Sequence, residues 1–530
     1  MNFLLRPRVR WGICWFIFLG SAGFMGVQAW TAFNEPTDKA QTAFNQADCS
    51  DGNRGHATID FGGQWLMGRM IVEGQGRHLY LRNYLRPVAQ QAFPTRRCST
   101  HKSDAEALME WLAGTDDPEA ARVIASLLPP LTATNPVEEA AALMSAQMTW
   151  TEEQLEHVTV PRVGGGLYPP IHSLYYAPLA LLPPQIAYRV MQVLILILAC
   201  VAGWLAQRMT EGRVWWPAAS LFVLMFPGFA GCVTLGQNGM FLLILALLGW
   251  QQLMRGREVL AGLCWGLLAF KPVWAAVFFL VPLVTTRWRM AASMAAAGIV
   301  QIVVTLPIVG WESWQHWLQV GQDAAQEYKR QENWIVLSRD LLGIPRRWLL
   351  TFENGLAKDI DEATASGQRF LANPNVLGWG LWATILTATL FVVWRCQQRR
   401  KEQTGLFPAF VLSAAVLTCY HFMYYDFVVA GLPVLLLFTQ PRQYLQWQFH
   451  TLVPPLLLIL MLAMPALGCL YDPSYHFPPW ETFILIALWT WCGYCLWKEV
   501  SFGKKLVSFF AAQLAELGAD VGGAHERLAD

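Results

Sequence analysis

Apolar runs of about twenty residues recur throughout this chain of 530 residues. At 1.5 Å of rise per residue, each is long enough to cross a hydrocarbon core about 30 Å thick. The first is 11–30, and others fall at about 186–206, 214–235, 239–253, 258–271, 272–286, 290–310, 375–394, 406–423, 427–440, 451–470 and 481–497. About twelve crossings are therefore expected, and with them an all-α, polytopic membrane fold, because a lipid-facing backbone has to satisfy its own hydrogen bonds. Composition agrees: 55% of residues are hydrophobic and 14% charged, against about 25% charged in an average soluble domain. The net charge of +1 gives no electrostatic basis for binding nucleic acid.

The run at 11–30 follows "RPRVR" and exceeds the apolar core of a signal peptide, about 7–15 residues, so it reads as an uncleaved anchor with a cytoplasmic N-terminus. Basic short connections at 208–213, 255–258, 287–289, 395–401 and 498–505 all come on one side of the membrane. Those near 236–239, 420–427 and 471–480 hold no Lys or Arg. This asymmetry predicts cytoplasmic termini and an even number of crossings. The stretch 258–286 reads as one long tilted helix or as two short ones broken at "KP".

The chain divides into a first crossing (1–33), an extracytoplasmic loop (34–185), crossings two to seven (186–310), a second outer loop (311–374), crossings eight to twelve (375–497) and a cytoplasmic tail (498–530). In the first loop, Phe61 and Trp65, with Ile71 or Val72, mark one side of an interfacial helix, and "IHSLYYAPLALLPP" a surface-lying or re-entrant segment. Between them, 87–160 reads as a polar helical insert. In the second loop, Trp311, Trp314 and Leu318, then Trp334, Leu337 and Leu341, recur at helical spacing and predict helices lying on the membrane. Of the eleven cysteines, only Cys49 and Cys98 sit in a long polar loop, where a disulfide is expected if it faces an oxidising compartment. The "WCGYC" at 491–495 mimics a redox motif but lies in an apolar helix, where thiols act as small hydrophobes.

Polar groups at the ends of apolar runs carry the functional information, since a charge at a helix centre costs roughly 2.5–3.5 kcal/mol on insertion scales. Four places stand out: Gln237 and Asn238 in "TLGQNGMF", Lys271 in "LLAFKPVW", His421 and Asp426 in "YHFMYYDFVV", and Asp60 in "TIDFGGQW". Each has a structural reading. The amides could satisfy a turn, Lys271 could snorkel, His421 and Asp426 could pair, and Asp60 could cap a helix. All four nevertheless fall on the outer side. A lysine and a histidine beside amides can hold a phosphate, and a nearby carboxylate can take a proton from a hydroxyl, a role worth about 10²–10⁴-fold in rate.

The ordered stretches "IDFGGQW…RMIVEGQGRHLY", "YPPIHSLYYAPLALLP", "LGQNGMFLLILALL", "GLCWGLLAFKP" and "HFMYYDFVVAGLP" resemble glycosyltransferase family 87, which includes polyprenol-phosphate-mannose-dependent mannosyltransferases. The resemblance implies a GT-C bundle and an inverting transfer from a lipid-linked sugar donor to a lipid, glycan or protein acceptor at the extracytoplasmic face. Asp60 is then the general base, and Lys271 and His421 stabilise the phosphate. Gln237, Asn238, Asp426, Tyr168 and Tyr425 complete the donor site. It further implies no cofactor and no metal, although acidic "DCSD" at 48–51 keeps a metal-dependent variant in view. The rival readings are a transporter or flippase of a lipid-linked or anionic substrate, and a non-catalytic assembly protein. No repeat of the kind transporters carry is visible.

Overall fold

In the computed structural model of the chain, the described residues are scattered positions between 12 and 27, then 61–92, 166–353, 356–357, 373–439, 449–468 and 478–498. Asp60, Cys49, Cys98, the stretch 48–51, most of the expected insert at 87–160 and the tail beyond 498 lie outside them. The described chain is helical apart from one hairpin of two-residue strands, β1 (Phe352–Glu353) and β2 (Leu356–Ala357), a small departure from the all-α expectation.

Ahead of the bundle come α1 (Gly63–Val72), α2 (Arg82–Ala92) and α3 (Pro170–Tyr176). The bundle begins with α4 (Pro184–Met209), α5 (Trp216–Met225), α6 (Phe229–Leu235), α7 (Gly239–Met254), α8 (Glu258–Gly266), α9 (Pro272–Val284) and α10 (Trp288–Arg330). Prolines in the first turns of α3, α4, α5 and α9 start these helices where a missing N–H costs nothing. Among the described residues, three helices are long and apolar enough to cross a membrane alone: α4, α10 and α13 (Pro374–Arg395). Helices α5 and α6 qualify as one span bent by 71°, the bend falling at Pro227 and at Gly228, whose φ is 91°. Several other expected crossings, among them α7, α9 and α14 (Leu406–Leu417), are apolar helices too short to cross alone, so among the described residues length and composition give three or four spans, against twelve expected of the whole chain. The break at "KP" is real. After α8 comes a 3-10 turn, Leu267–Phe270, and Lys271 leaves helical geometry before α9 starts.

The surface of α4 suits lipid. Its exposed Ile186, Val190, Val193 and Ile197 recur every three or four residues opposite buried Ala187, Met191, Ile195 and Ala199. Exposed Ile299, Val300, Val303 and Val304 do the same on α10. Helices approach closely where glycine faces them. A Cβ on Gly262 of α8 would come within 2.2 Å of the Met290 carbonyl of α10, and one on Gly203 of α4 within 2.5 Å of the Trp216 carbonyl of α5. Small residues at such crossings let backbones pack in a medium where the hydrophobic effect no longer drives helices together.

Helix α10 has 43 residues and turns at Gly310 (φ 71°, ψ 169°), where the second outer loop was expected to begin. Across the turn, the Trp314 indole N–H donates to the Thr305 hydroxyl at 3.1 Å. The Ser313 hydroxyl donates to the carbonyls of Gly76 and Arg77, binding the first loop to the second. Trp311 and Leu318 are exposed, while Trp314 turns inward. Helix α1 corrects the expectation of an interfacial helix. Phe61, Trp65, Leu66, Met67 and Met70 are all buried within the protein, because glycine at 68 lets the α3 backbone at Tyr176 pass within a Cβ's width. The described remainder of the second loop holds α11 (Glu332–Leu337), α12 (Gly343–Leu349) and the β1–β2 hairpin. The chain closes with α15 (Gly431–Leu437), α16 (Phe449–Gly468) and a last helix over 480–498. In that last helix Cys492 is buried and Cys495 half-buried, both as free thiols.

Candidate functional site

Three chain segments converge at the start of α7. The first is the α6–α7 turn. Gly236 ends α6 with φ 62°, and the Gln237 N–H reaches back to the Cys232 carbonyl at 2.9 Å, a left-handed helix end that suits glycine. It also suits glycine sterically, since a Cβ there would sit 2.9 Å from the Cβ of Phe61, whose buried ring packs edge-on against Tyr188. The second segment is Lys271, held between the 3-10 turn and Pro272. The third is the 3-10 turn Tyr424–Ala430, whose backbone at Tyr424 and Tyr425 presses on Gly228 and Gly239 so closely that a Cβ on either would meet a carbonyl at 2.6 Å.

This convergence places a charged pair in the interior. Lys271 Nζ donates to both oxygens of Asp426, at 2.6 and 2.8 Å, and both side chains are buried. The ammonium also lies 3.4 Å from Asn238 Oδ1, 5.1 Å from the centre of the Tyr425 ring and 5.5 Å from that of Tyr168. Because lysine has only donors, it fixes the Asn238 amide with its oxygen inward. The amide nitrogen then donates to His172 Nε2 at 3.0 Å, which assigns the His172 proton to Nδ1. Burial pushes the His172 imidazole well below its usual range, and the charge on Lys271 adds to this, so the ring is a neutral acceptor. It stacks between Tyr168, at 4.1 Å, and Tyr176, at 4.7 Å. Gln237 Oε1 accepts from Gln64 at 3.2 Å and from the Tyr168 hydroxyl at 3.1 Å, and Tyr80 donates to the Tyr168 carbonyl at 2.7 Å. The Tyr176 hydroxyl is buried and meets no hydrogen-bonding partner among the described residues.

Of the residues singled out in the sequence, Lys271, Asn238, Asp426, Tyr168 and Tyr425 meet in this cluster, and Gln237 joins it through Tyr168. His421 does not. It lies against Asp340, with Nδ1 3.5 Å from Oδ2, and stacks on Tyr328 at 4.0 Å. Two pairs thus exist where one His421–Asp426 pair was conceivable. Asp60 lies outside the described residues, although Phe61, the next residue in the chain, is fixed beside the α6–α7 turn. Sequence reasoning passed over His172, Gln64, Tyr80 and Asp340. His172 had one signal, an imidazole in the apolar segment "IHSLYY"; Asp340 had another, the dense charge of "SRDLLGIPRR". Among the described residues, no group of three or more His, Cys, Asp or Glu side chains is arranged to hold a metal ion.

The Asp340 carboxyl is shaped by opposing effects. Burial raises it, but the hydrogen bond and charge of His421, the Ser338 hydroxyl and the Gly343 N–H together hold it below the usual carboxylate range. The nearby arginines serve the backbone. Arg339 donates to the carbonyls of Val336, Leu337 and Ser338, and Arg347 to those of Ile335, Val336 and Ser338. Both therefore cap the C-terminal end of α11, where carbonyls lack helical partners and positive charge is favoured.

Comparison with known proteins agrees with the resemblance in the sequence. Residues 167–420 match the family model of glycosyltransferase family 87, a stretch that takes in Tyr168, His172, Gln237, Asn238, Lys271 and Asp340 and ends one residue before His421. The match covers just under half of the chain and is to a family of glycosyltransferases, and among the described residues three helices are long and apolar enough to cross a membrane. No curated protein and no solved structure matches the chain significantly.

Proposed function

We propose, taking residues 167–420 as those of glycosyltransferase family 87, that the chain moves a hexosyl group, by preference mannosyl, from a polyprenyl-phosphate sugar to a lipid, glycan or protein acceptor. The transfer takes place at the extracytoplasmic face of the cell membrane and inverts the anomeric carbon. The observation that carries this reading is the buried Lys271 ammonium, set among Asn238, Asp426 and two tyrosine rings within a cluster that α1 and α3 close from the loop side.

In an apolar surround a lone ammonium would be costly, and Asp426 is its partner until a phosphate arrives to share or displace the carboxylate. The ammonium then offsets the charge that grows on the phosphate oxygen as the C1–O bond breaks, and preorganised charge of this kind is a large catalytic contribution. Asp60 takes the proton of the acceptor hydroxyl as that oxygen attacks C1. Its chain neighbour Phe61 is anchored at Gly236, beside Gln237 and Asn238, which supports this role. Tyr176 offers a spare hydroxyl to a substrate oxygen. Cationic side chains do the neutralising, so the scheme needs no metal.

The test is sugar transfer from polyprenyl-phosphate mannose by membranes holding the wild type or Asp60→Asn, with donor binding measured in parallel. Wild-type turnover, and a variant that binds donor but loses at least about 10²-fold in rate, supports Asp60 as the base. If the wild type neither binds nor transfers, the donor assignment fails and transport of an anionic lipid is the next reading to test.

A further inference from the structure

We infer that Asp340 is a positioning residue for the transfer reaction, holding the His421 imidazole so that its second ring nitrogen meets the donor phosphate. This rests on the polyprenyl-phosphate reading above. Asp340 lies between α11 and α12, buried, with Oδ1 accepting the Gly343 N–H at 2.7 Å and Oδ2 engaged by the Ser338 hydroxyl. His421 Nδ1 faces that same oxygen at 3.5 Å.

Three features fit an orienting device better than a chance ion pair. The two backbones are locked in register, because Ser338 and Met423 form an antiparallel bridge and the Arg339 N–H donates to the Phe422 carbonyl at 3.0 Å. The imidazole plane is set by stacking on Tyr328, tilted by 17°. The carboxylate is nearly inaccessible while the His421 side chain is 21% exposed, and no hydrogen bond among the described residues engages Nε2. A buried carboxylate that fixes one ring nitrogen and leaves the other for chemistry is how an aspartate orients a reacting histidine. Of the arginines beside it, Arg339 and Arg347 donate to α11 carbonyls, Arg339 also to Glu481, and Arg346 to Asn375, while the His421 ring faces the carboxylate directly. The dyad adjoins the Lys271 cluster: Phe422, next to His421, packs its ring on Trp274 at 5.3 Å, and the Arg339 guanidinium lies 5.9 Å from the Tyr424 ring.

In the reaction, the acceptor O–H bond and the C1–O(phosphate) bond break and a new C1–O bond forms. The proton goes to Asp60, and the electron pair of the broken bond goes to the phosphate oxygen. The imidazolium N–H of His421 hydrogen-bonds that oxygen without giving up its proton, and Asp340 supplies the counter-charge.

The test compares Asp340→Asn, Asp340→Glu, His421→Gln and the Asn–Gln double variant in the purified full-length protein, using polyprenyl-phosphate mannose. Asp340→Asn should lower kcat at least about tenfold while donor KM stays within about twofold, as for an interaction made in the transition state. Asp340→Glu should recover part of the loss, and Asp340→Asn should add nothing to His421→Gln. Equal losses in both backgrounds would mean a structural role and overturn the inference. A readout independent of donor is the 15N spectrum of the His421 ring taken at a pH high enough to remove one of the two protons of the imidazolium, assigned by its loss in His421→Gln. The wild type should carry the proton on Nδ1, and a proton on Nε2 defeats the dyad even if Asp340→Asn does not fold. A wild type with the expected tautomer but no transfer defeats the donor reading alone.

Discussion

At the scale of single residues, the Lys271–Asp426 pair is both a stability element and the centre of the proposed site, and the two roles separate experimentally. Removing one partner strands a charge in the interior. Lys271→Met should therefore destabilise the protein by about 3–5 kcal/mol, whereas replacing both partners by apolar groups is close to neutral in comparable buried pairs. The double variant Lys271→Met with Asp426→Leu should then melt within a few degrees of the wild type in detergent while transferring no sugar. If the single and double variants melt alike, the pair is not the buried, mutually dependent unit described above. If the double variant transfers sugar, Lys271 has no part in holding phosphate. Asn238 links this pair to His172. It is the residue through which a change at Lys271 would reorient the neutral imidazole and the Tyr168–His172–Tyr176 stack.

At the scale of elements, glycine sets the distance at which helices of the bundle pack. On α8, a Cβ at Gly262 would meet Ser293 Oγ at 2.0 Å and the Met290 carbonyl at 2.2 Å, and only the first of these can rotate away. Gly262→Val should cost at least about 1–3 kcal/mol by overpacking and lower the melting temperature, whereas Gly298→Ala on α10, with nothing within 4 Å, should leave it unchanged. A Gly262→Val protein as stable as wild type would mean that α8 and α10 slide apart freely. Much of this layout was legible in advance. The proline starts, the break at Lys271–Pro272 and the turn at Gly310 are local signals, written in the residues that make them. Helix α1 was misjudged because its aromatic face looks the same whether it meets lipid headgroups or α3, and only the fit of Gly68 against Tyr176 decides. His421 was grouped with Lys271 because both fall at the same end of the apolar runs. Position along the membrane normal says nothing about which neighbour a side chain meets around the bundle, and His421 meets Asp340 through a strand-like pairing of 338–339 with 422–423 that no periodicity announces.

At the scale of the whole molecule, the two ends of α7 differ in chemistry. Its start, at Asn238, joins the Lys271 cluster. Its end, about 24 Å away at 1.5 Å per residue, enters a group of basic connections that touch one another. There Arg287 donates to the Lys401 carbonyl at 3.0 Å and lies 3.5 Å from Glu258, and Trp250 and Gln403 exchange hydrogen bonds with the opposing backbones of 403 and 253. The basic connections at 255–258, 287–289 and 395–403 thus share one end of the bundle, and the candidate site lies at the other end of α7. Basic connections are expected to stay on the cytoplasmic side during insertion, and on that rule the prediction is a Lys271 cluster at the extracytoplasmic face. Single cysteines test this. Glu73→Cys lies exposed at the end of α1, whose Gln64 reaches Gln237, and Arg257→Cys lies exposed among the basic connections. A membrane-impermeant maleimide added to intact cells should label Glu73→Cys above the parent chain's background, and Arg257→Cys only after permeabilisation. The reverse pattern would put the site on the cytoplasmic side and remove the basis for an extracytoplasmic transfer. Labelling of both in intact cells would mean that the two ends of α7 do not lie across a membrane from each other.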